Sequence, residues 1–291
     1  MASLRDLKRQ IGSVKNIAKV TEALQTVSAV KFRKAEARVN RARAYADNVE
    51  QMMRDVAKSA SGDSPLLAGR EVRRVVVASF TADRGLAGGF NAQVLRRTTQ
   101  LRAEKGQGAE LGQVASGRKS VAFFRFRNVE LDEVYTGYTD SPTYEQAREI
   151  GRALTALFDD EKADEVYIVY NRFENVMTQR PVVKRLIPVV DEGEGEDEDR
   201  DDNLAYMEFV PDPETVLKQL VPRYVETMVW QALLEGAAGE HGARMTAMKN
   251  ATDNANELAR DLTLQMNKAR QAQITSEIIE IAAGADALAA G

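Results

Sequence analysis

The segment LRDLKRQIGSVKNIAKVTEALQTVSAVKFRKAEARV, residues 4–39, decides the fold. It lies in a stretch that extends to about Lys58 and contains no proline and one glycine, Gly12. Ala, Lys, Arg, Glu, Gln and Leu dominate it, all good helix formers, and Ser3 followed by Asp6 resembles a capping box. At ~1.5 Å per residue the predicted helix is roughly 80 Å long, which is typical of a coiled coil or a shaft.

The apolar residues of this helix are spaced by three more often than a heptad allows. From Leu4 to Val30 they follow steps of 3, 4, 3, 3, 3, 4, 3 and 3. An excess of three-residue steps makes the apolar stripe drift around a helix of about 3.6 residues per turn. We therefore expect no single flat seam along the helix, and other surfaces that cover its remaining faces. A single long core helix with irregular packing is the alternative.

A second long helix is predicted at the carboxyl end of the chain. Pro211, Pro213 and Pro222 precede it, and no proline occurs from Arg223 to about Leu288, which would give a helix of nearly 100 Å at ~1.5 Å per residue. Its predicted seam consists of Met245, Met248, Ala251, Ala255, Leu258 and Leu262. The net charge is about +7 over residues 1–60 and about −4 over residues 211–291. Two long terminal helices of opposite charge predict an antiparallel hairpin.

Strands and helices alternate between the two long helices. Strands are predicted at residues 72–80, 111–115, 165–170, 182–190 and 205–210, an extended segment at 129–135, and helices at 91–105 and from Ser141-Pro142 to about 159. Residues 118–126 are ambiguous between strand and helix. The alternation predicts an open α/β sheet. The predicted domains are an N-terminal coiled-coil helix (1–60), an α/β domain (61–212) with an acidic loop at 191–202, and a C-terminal coiled-coil helix (213–291).

The composition leaves little material for catalysis. The chain has no cysteine, which excludes disulfides, thiolate metal sites and cysteine nucleophiles, and its one histidine is His241. Ser–His triads and multi-histidine metal sites are therefore not expected. No apolar run approaches the roughly 20 residues that span a bilayer, and the N-terminus lacks a signal-peptide core. We expect a non-catalytic protein with no cofactor and no metal, made in a soluble, reducing compartment.

Two segments come close to nucleotide-binding motifs. Residues 112–120, GQVASGRKS, almost match the phosphate-binding pattern G-x-x-x-x-G-K-[ST], but Arg118 intervenes and displaces Lys119 by one position. The Gly85-Leu-Ala-Gly88-Gly89 segment is not G-x-G-x-x-G, and a tight turn that leads into the helix from Asn91 accounts for it.

The acidic run from Asp191 to Asp202 lacks the ligand register of an EF-hand loop. A solvated block of like charges is the expected interpretation.

Three segments together resemble one family, the γ subunits of F-type ATP synthases of the bacterial type. The first is the opening helix quoted above. The second is TADRGLAGGFN at residues 81–91, similar to the family's S-x-D-R-G-L-C-G-G-[LF]-N. The third is ARMTAMKNATDNANEL followed by NKARQAQITSEIIEIAAGADAL, close to the family's C-terminal signature. The resemblance covers essentially the whole chain.

The resemblance implies an α/β fold: a long antiparallel coiled coil of N- and C-terminal helices plus a central Rossmann-like α/β domain that binds no dinucleotide. It implies one copy per complex, with the coiled coil inside a ring of three α and three β subunits. The α/β domain would contact the ε subunit and the c-ring of Fo. The implied function is that of a central rotor stalk, which couples proton translocation through the c-ring to ATP synthesis or hydrolysis on the β subunits. The implied location is the cytoplasmic face of the bacterial inner membrane, peripheral and without direct membrane insertion.

The resemblance also indicates partner contacts and a turn motif. Five residues match family positions that contact the β subunits: Leu24, Lys31, Arg244, Gln271 and Thr275. The turn motif in the α/β domain comprises Asp83, Arg84, Gly85, Gly88 and Gly89. Ordinary solvated helix surface is the alternative for Arg244 and Gln271.

The chain departs from the family at a few positions. Leu24 and Thr26 stand in a segment where methionine is common, and Ala87 stands where many members carry cysteine. The cysteine-containing insertion of the chloroplast type is absent, which excludes thiol control of that kind.

A nucleic-acid-binding coiled coil is the main rival hypothesis, because the first helix is basic. The apolar residues of this helix are spread around its circumference, and no aromatic or arginine-rich segment for contacting nucleic acid stands out in the sequence. We therefore expect no nucleic acid partner.

Overall fold

The computed structural model describes residues 3–59, 69–189 and 212–289. Within them the helices are α1 (Leu4–Ser59), α2 (Phe90–Lys105), α3 (Arg118–Phe126), α4 (Tyr144–Asp159) and α5 (Pro213–Ala289). The strands are β1 (Arg74–Phe80), β2 (Glu110–Ser116), β3 (Glu133–Tyr135), β4 (Glu165–Phe173) and β5 (Gln179–Ile187). The strand predicted at residues 205–210 and the acidic loop at 191–202 lie outside the described residues. The chain forms two compact units, one of residues 28–244 and one that joins the residues up to Val27 to those from Met245 onward.

The first unit is built on the open α/β sheet that the alternation predicts. Its strand order is β3-β2-β1-β4-β5, with parallel pairs except for β4 and β5, which are antiparallel. Helices α2, α3 and α4 each follow one parallel strand and precede the next, the connection that parallel strands need. Residues 118–126, ambiguous in sequence, form α3.

Both faces of the sheet are covered, so its central strands are almost wholly buried. On one face Val75 and Val77 of β1 pack with Val94 and Leu101 of α2. On the other face Val76 and Ala78 belong to a larger core, which also includes residues of α4, of α1 and of the first part of α5. The alternation along β1 therefore assigns neighbouring side chains to different cores.

The buried face of α1 is a regular heptad seam, so the prediction that it lacks one is wrong. Buried or half-buried residues follow alternating steps of four and three over the helix: Leu7, Ile11, Val14, Ala18, Thr21, Gln25, Ser28, Phe32, Ala35, Val39, Ala42, Ala46, Val49, Met53 and Val56. Small and polar residues occupy several of these positions, and they are invisible when apolar residues alone are counted. The apparent drift of the apolar stripe came from four residues outside this seam, each of which is more than half exposed: Ile17, Val20, Val27 and Val30.

Helix α5 begins at Pro213, the first residue of the predicted C-terminal helical domain and ten residues before the proline-free run from Arg223. Asp212 precedes it and accepts hydrogen bonds from the Thr215 N–H and hydroxyl, both at 2.8 Å, while Pro213 takes the first helical position. Pro222 lies inside the helix, where it costs about 3 kcal/mol or more. Its neighbours Val221 and Tyr224 are buried in the main core, and that packing offsets the cost.

The seam predicted for α5 is confirmed in part. From Met245 to Ala269 buried or half-buried residues again alternate by three and four, and Met248, Ala255 and Leu262 are among them. Leu258 is 49% exposed, because it lies to one side of this seam. In the second unit the Thr21 and Thr252 hydroxyl oxygens lie 2.6 Å apart across the antiparallel helix pair.

Candidate functional site at the turn motif and on the long helices

The turn motif between β1 and α2 is organised by Asp83. The Asp83 carboxylate accepts hydrogen bonds from the N–H groups of Arg118 at 3.0 Å, Gly137 at 2.8 Å and Thr139 at 3.2 Å. The Asp83 N–H in turn donates to the Thr139 hydroxyl at 2.9 Å. One carboxylate thus joins the end of β1 to the start of α3 and to the loop after β3. Its role in the fold is structural.

The glycines of the motif shape the turn itself, as the sequence predicts. Gly88 has a φ of 54°, a left-handed conformation that favours glycine, and Gly89 is the N-cap residue of α2. The Ala82 N–H donates to the Asn91 side-chain oxygen at 2.8 Å, which fixes the first turn of α2. Arg84 is exposed.

In residues 112–120, the segment that nearly matches a phosphate-binding loop, the backbone N–H groups of the turn are already hydrogen-bonded within the chain. The N–H groups of Gly117, Arg118, Lys119 and Ser120 donate to Tyr135, Asp83, Ala82 and Thr81, at distances from 2.8 to 3.2 Å. A Cβ on Gly117 would lie 2.0 Å from the Thr81 carbonyl oxygen, so this glycine allows close contact with the backbone of the chain itself. A phosphate would have to displace all four bonds, and phosphate-binding loops depend on such amides being free.

A buried polar cluster connects the turn motif to α5. Arg244 is 8% exposed; its guanidinium donates to the Glu240 carboxylate and, at 3.2 Å, to the Gly85 carbonyl oxygen. A third contact joins it to Nδ1 of His241 at 3.4 Å. Because a guanidinium only donates, Nδ1 accepts, and Nε2–H of His241 donates to the Asp140 carbonyl oxygen at 3.0 Å. The solvated surface considered for Arg244 is therefore wrong.

Lys31 of α1 joins the same cluster. Its ammonium donates to the Asp140 carboxylate at 2.5 Å, and about a third of each side chain is exposed. Partial burial raises the pKa of Asp140, but the Lys31 hydrogen bond and the positive charges of Lys31 and Arg84 lower it further, so the net pKa lies below its ordinary value. The cluster thus connects α1, α5 and the turn motif within the first unit.

The other three predicted contact residues lie in the second unit. Leu24 is half-buried, whereas Gln271 and Thr275 are exposed, with the Thr275 hydroxyl donating to the Gln271 carbonyl oxygen at 2.9 Å. Thr21 and Thr252 face each other, and counting outward from them along the antiparallel pair places Leu7 opposite Met266. Since α1 begins at Leu4, no helix among the described residues pairs with α5 from about residue 270, and the side chains of residues 270–283 are all exposed.

Two exposed apolar surfaces lie on the long helices. The sequence predicts further faces of α1 for other surfaces to cover, but it does not single out the apolar surface on α5. On α1 they are Ile17, Val20, Val27 and Val30; on α5 they are Ile274, Ile278, Ile279 and Ile281, which are 47–73% exposed. The available signal was an excess of apolar residues beyond those of one heptad seam. Exposed apolar residues grouped along a helix mark surfaces that other proteins cover.

The comparisons with known proteins decide the family. The family model described as ATP synthase matches residues 3–288. A protein named ATP synthase gamma chain from Rubrobacter xylanophilus is 69% identical over 292 aligned residues, which cover all of both chains. Another so named, from Moorella thermoacetica, is 46% identical over 99% of this chain and all of its own. The chain belongs to the ATP synthase gamma-chain family.

Solved structures share the gamma-chain fold at low sequence identity. A chain of the mitochondrial ATP synthase rotor from Euglena gracilis matches 93% of this chain and 98% of its own, with a TM-score of 0.68 at 18% identity. A chain of the central stalk and c-ring structure from Tetrahymena thermophila matches 80% of this chain and 99% of its own, with a TM-score of 0.60 at 21% identity. In the described part of this gamma chain no helix is both long and apolar enough to cross a membrane.

Proposed function

We propose that this gamma chain is the rotating central shaft of an ATP synthase. It turns inside a ring of three α and three β subunits, one copy per complex, and its α/β unit contacts the ε subunit and the c-ring. Rotation couples proton movement through the c-ring to ATP synthesis or hydrolysis on the β subunits. The chain performs no chemistry itself and acts peripherally at the cytoplasmic face of the bacterial inner membrane.

The apolar surface left exposed on the two long helices carries the proposal. Each helix uses one heptad seam and displays further apolar side chains outside it, from Ile17 to Val30 on α1 and from Ile274 to Ile281 on α5. An isolated helical segment is marginal in water, and the end of α5 has no packing partner within the described part of the chain. A ring of surrounding subunits would cover these surfaces.

The proposed mechanism depends on the asymmetry of the shaft. Three otherwise equivalent catalytic sites meet different sides of a single shaft, so each is in a different environment at a given angle. The shaft changes the nucleotide affinity of a site only through contacts that differ between the conformations of that site. Apolar side chains such as Val20 and Val27 suit this task, because hydrophobic contact has little directional preference and can pass from one partner to the next.

The predicted contact residues divide into two groups under this proposal. Leu24, Gln271 and Thr275 belong to the surface that would meet the β subunits directly. Lys31 and Arg244 already have partners within the chain, Asp140 and Glu240. We infer that these two residues also hold the long helices against the turn motif, and that β-subunit contact at Arg244 would use the small part of the side chain that remains exposed.

Covalent locking tests the proposal, and the absence of native cysteine simplifies it. Val27, which is 53% exposed, is replaced by Cys and paired with cysteines scanned along the facing surface of the β subunit in the reconstituted complex. Oxidation should stop ATP hydrolysis for at least one pair, and reduction should restore it. The matched control is the Val27→Cys complex without the β cysteine. Cross-linked complexes that keep full, coupled turnover would contradict a rotating shaft.

A further inference from the structure

A groove on the α/β unit is unrelated to the shaft surfaces. It lies between α2 and α3, has a volume of about 830 Å³, and is open to solvent. From Asn91 to Ala103 the lining residues of α2 follow helical spacing, which corresponds to a length of roughly 18 Å. Lys119 and Phe123 of α3 and Arg127, the C-cap residue that follows α3, line it at four-residue spacing. The groove is therefore elongated and bordered by two helix faces.

The floor of the groove is apolar. Leu95 and Phe123 contribute the large apolar side chains, and Ala92 and Ala103 contribute small ones. The guanidinium carbon of Arg127 lies 3.6 Å from the centroid of the Phe123 ring, a cation–π contact that holds both side chains at the border. On the same helix Phe126 is 85% exposed.

The rim of the groove is cationic. Arg96, Lys119 and Arg127 line it and no carboxylate does. Other basic residues of α2 have acidic partners, Arg97 with Glu104 and Lys105 with Glu165. No ion pair is formed by the three rim cations within residues 3–59, 69–189 and 212–289. Positive charge without an acidic partner around an apolar floor favours an anionic occupant.

We propose that this groove binds an acidic amphipathic helix of a partner protein. A helix laid between two others buries its apolar side on the floor, and its flanking carboxylates reach the rim cations. A length of roughly 18 Å accommodates about twelve helical residues. The chain's own acidic run, DEGEGEDEDRDD at residues 191–202, contains no apolar residue and so offers nothing to the floor.

The test uses the full chain and a synthetic helical probe. The probe is a fluorescein-labelled peptide of alanine, with leucines at three- and four-residue spacing and glutamates beside them. We expect saturable binding by fluorescence anisotropy that weakens as salt rises. Lys119→Glu combined with Arg127→Glu should weaken binding at least about tenfold, since each change turns an attraction into a repulsion. Probes with lysine for glutamate, or serine for leucine, should not bind.

A matched variant controls for net charge. Arg33→Glu with Lys34→Glu changes two exposed cations of α1, away from the groove, and should leave probe affinity within about twofold. Equal binding by the groove variant, or no binding at all, would overturn the proposal. Binding that appears only after residues 191–202 are deleted would make that segment the occupant instead. Vesicles of phosphatidylglycerol that bind through Lys119 and Arg127 while the peptide does not would indicate a membrane contact, and would likewise overturn it.

Discussion

Replacement of Arg244 by alanine should destabilise the isolated chain strongly. The side chains of Arg244 and Glu240 are 9% and 1% exposed, so the variant leaves a buried carboxylate without its cation. Breaking a buried pair in this way costs about 3–5 kcal/mol. We therefore expect a loss of about 3 kcal/mol in the free energy of unfolding, the lower end of that range. For a unit of 150–250 residues that lowers Tm by roughly 6–12 °C.

Thermal and urea unfolding of the isolated chain measure this loss. The matched control is the double variant Arg244→Met with Glu240→Leu, which removes both charges and keeps apolar volume. It should recover at least half of the stability that Arg244→Ala loses, because no buried charge remains unpaired. A loss below about 1 kcal/mol in the single variant, or a double variant no better than the single, would refute the assignment of this pair.

Three further changes test other parts of the structure. Gly117→Ala should cost at least about 3 kcal/mol of unfolding free energy, because its Cβ would overlap the Thr81 carbonyl; urea unfolding that matches the wild type would be inconsistent with that contact. Burial raises the pKa of Glu235 in the folded chain. The Glu235 carboxyl therefore contributes its full stabilisation of the fold below its pKa in the unfolded chain, and this contribution declines as pH rises through its pKa in the folded chain. Glu235→Gln should therefore be the more stable chain at pH 8 and lose less stability than the wild type between pH 4.5 and 8; the opposite ranking counts against this burial. The family resemblance implies that acidic segments of the β subunits push the shaft near Leu24. Leu24→Lys should therefore raise the activation energy of ATP synthesis by at least ~1 kcal/mol through an ion pair with such a segment, whereas Leu24→Met should be nearly silent; equal Arrhenius slopes for Leu24→Lys and wild type would mean that this face does not meet those segments.

The long helices and the sheet were largely predictable because their signals are local. Proline-free runs of helix formers define α1 and most of α5, and runs such as VVVASF before a glycine turn define buried strands. The regular seam of α1 was not predictable from apolar residues alone, since Thr21, Gln25 and Ser28 occupy seam positions. The domain boundary at 213 agrees with the start of α5, but the proline-free run did not predict that the helix continues through Pro222, where packing around Val221 and Tyr224 outweighs the effect of the proline.

The candidate site was predictable only as a set of residues. The turn motif followed from its glycines, but the hydrogen bonds of Asp83 reach residues 35 to 56 positions away in sequence. The burial of Arg244 depends on Gly85, which is 159 positions away. No spacing rule connects such residues before the fold is known. From sequence, Arg244→Ala is expected to lower coupled turnover more than stability; the buried pair predicts a substantial loss of stability as well.

Direct observation of rotation is the measurement that tests the central claim. Lys162, whose side chain is 61% exposed, can be replaced by the only cysteine of the chain and labelled with a gold nanorod while the α and β subunits are fixed to a surface. During ATP hydrolysis the rod should turn in one direction with three pauses per revolution, one for each β subunit. Sustained hydrolysis with a stationary or randomly fluctuating rod, in complexes shown to contain the labelled chain, would contradict the account.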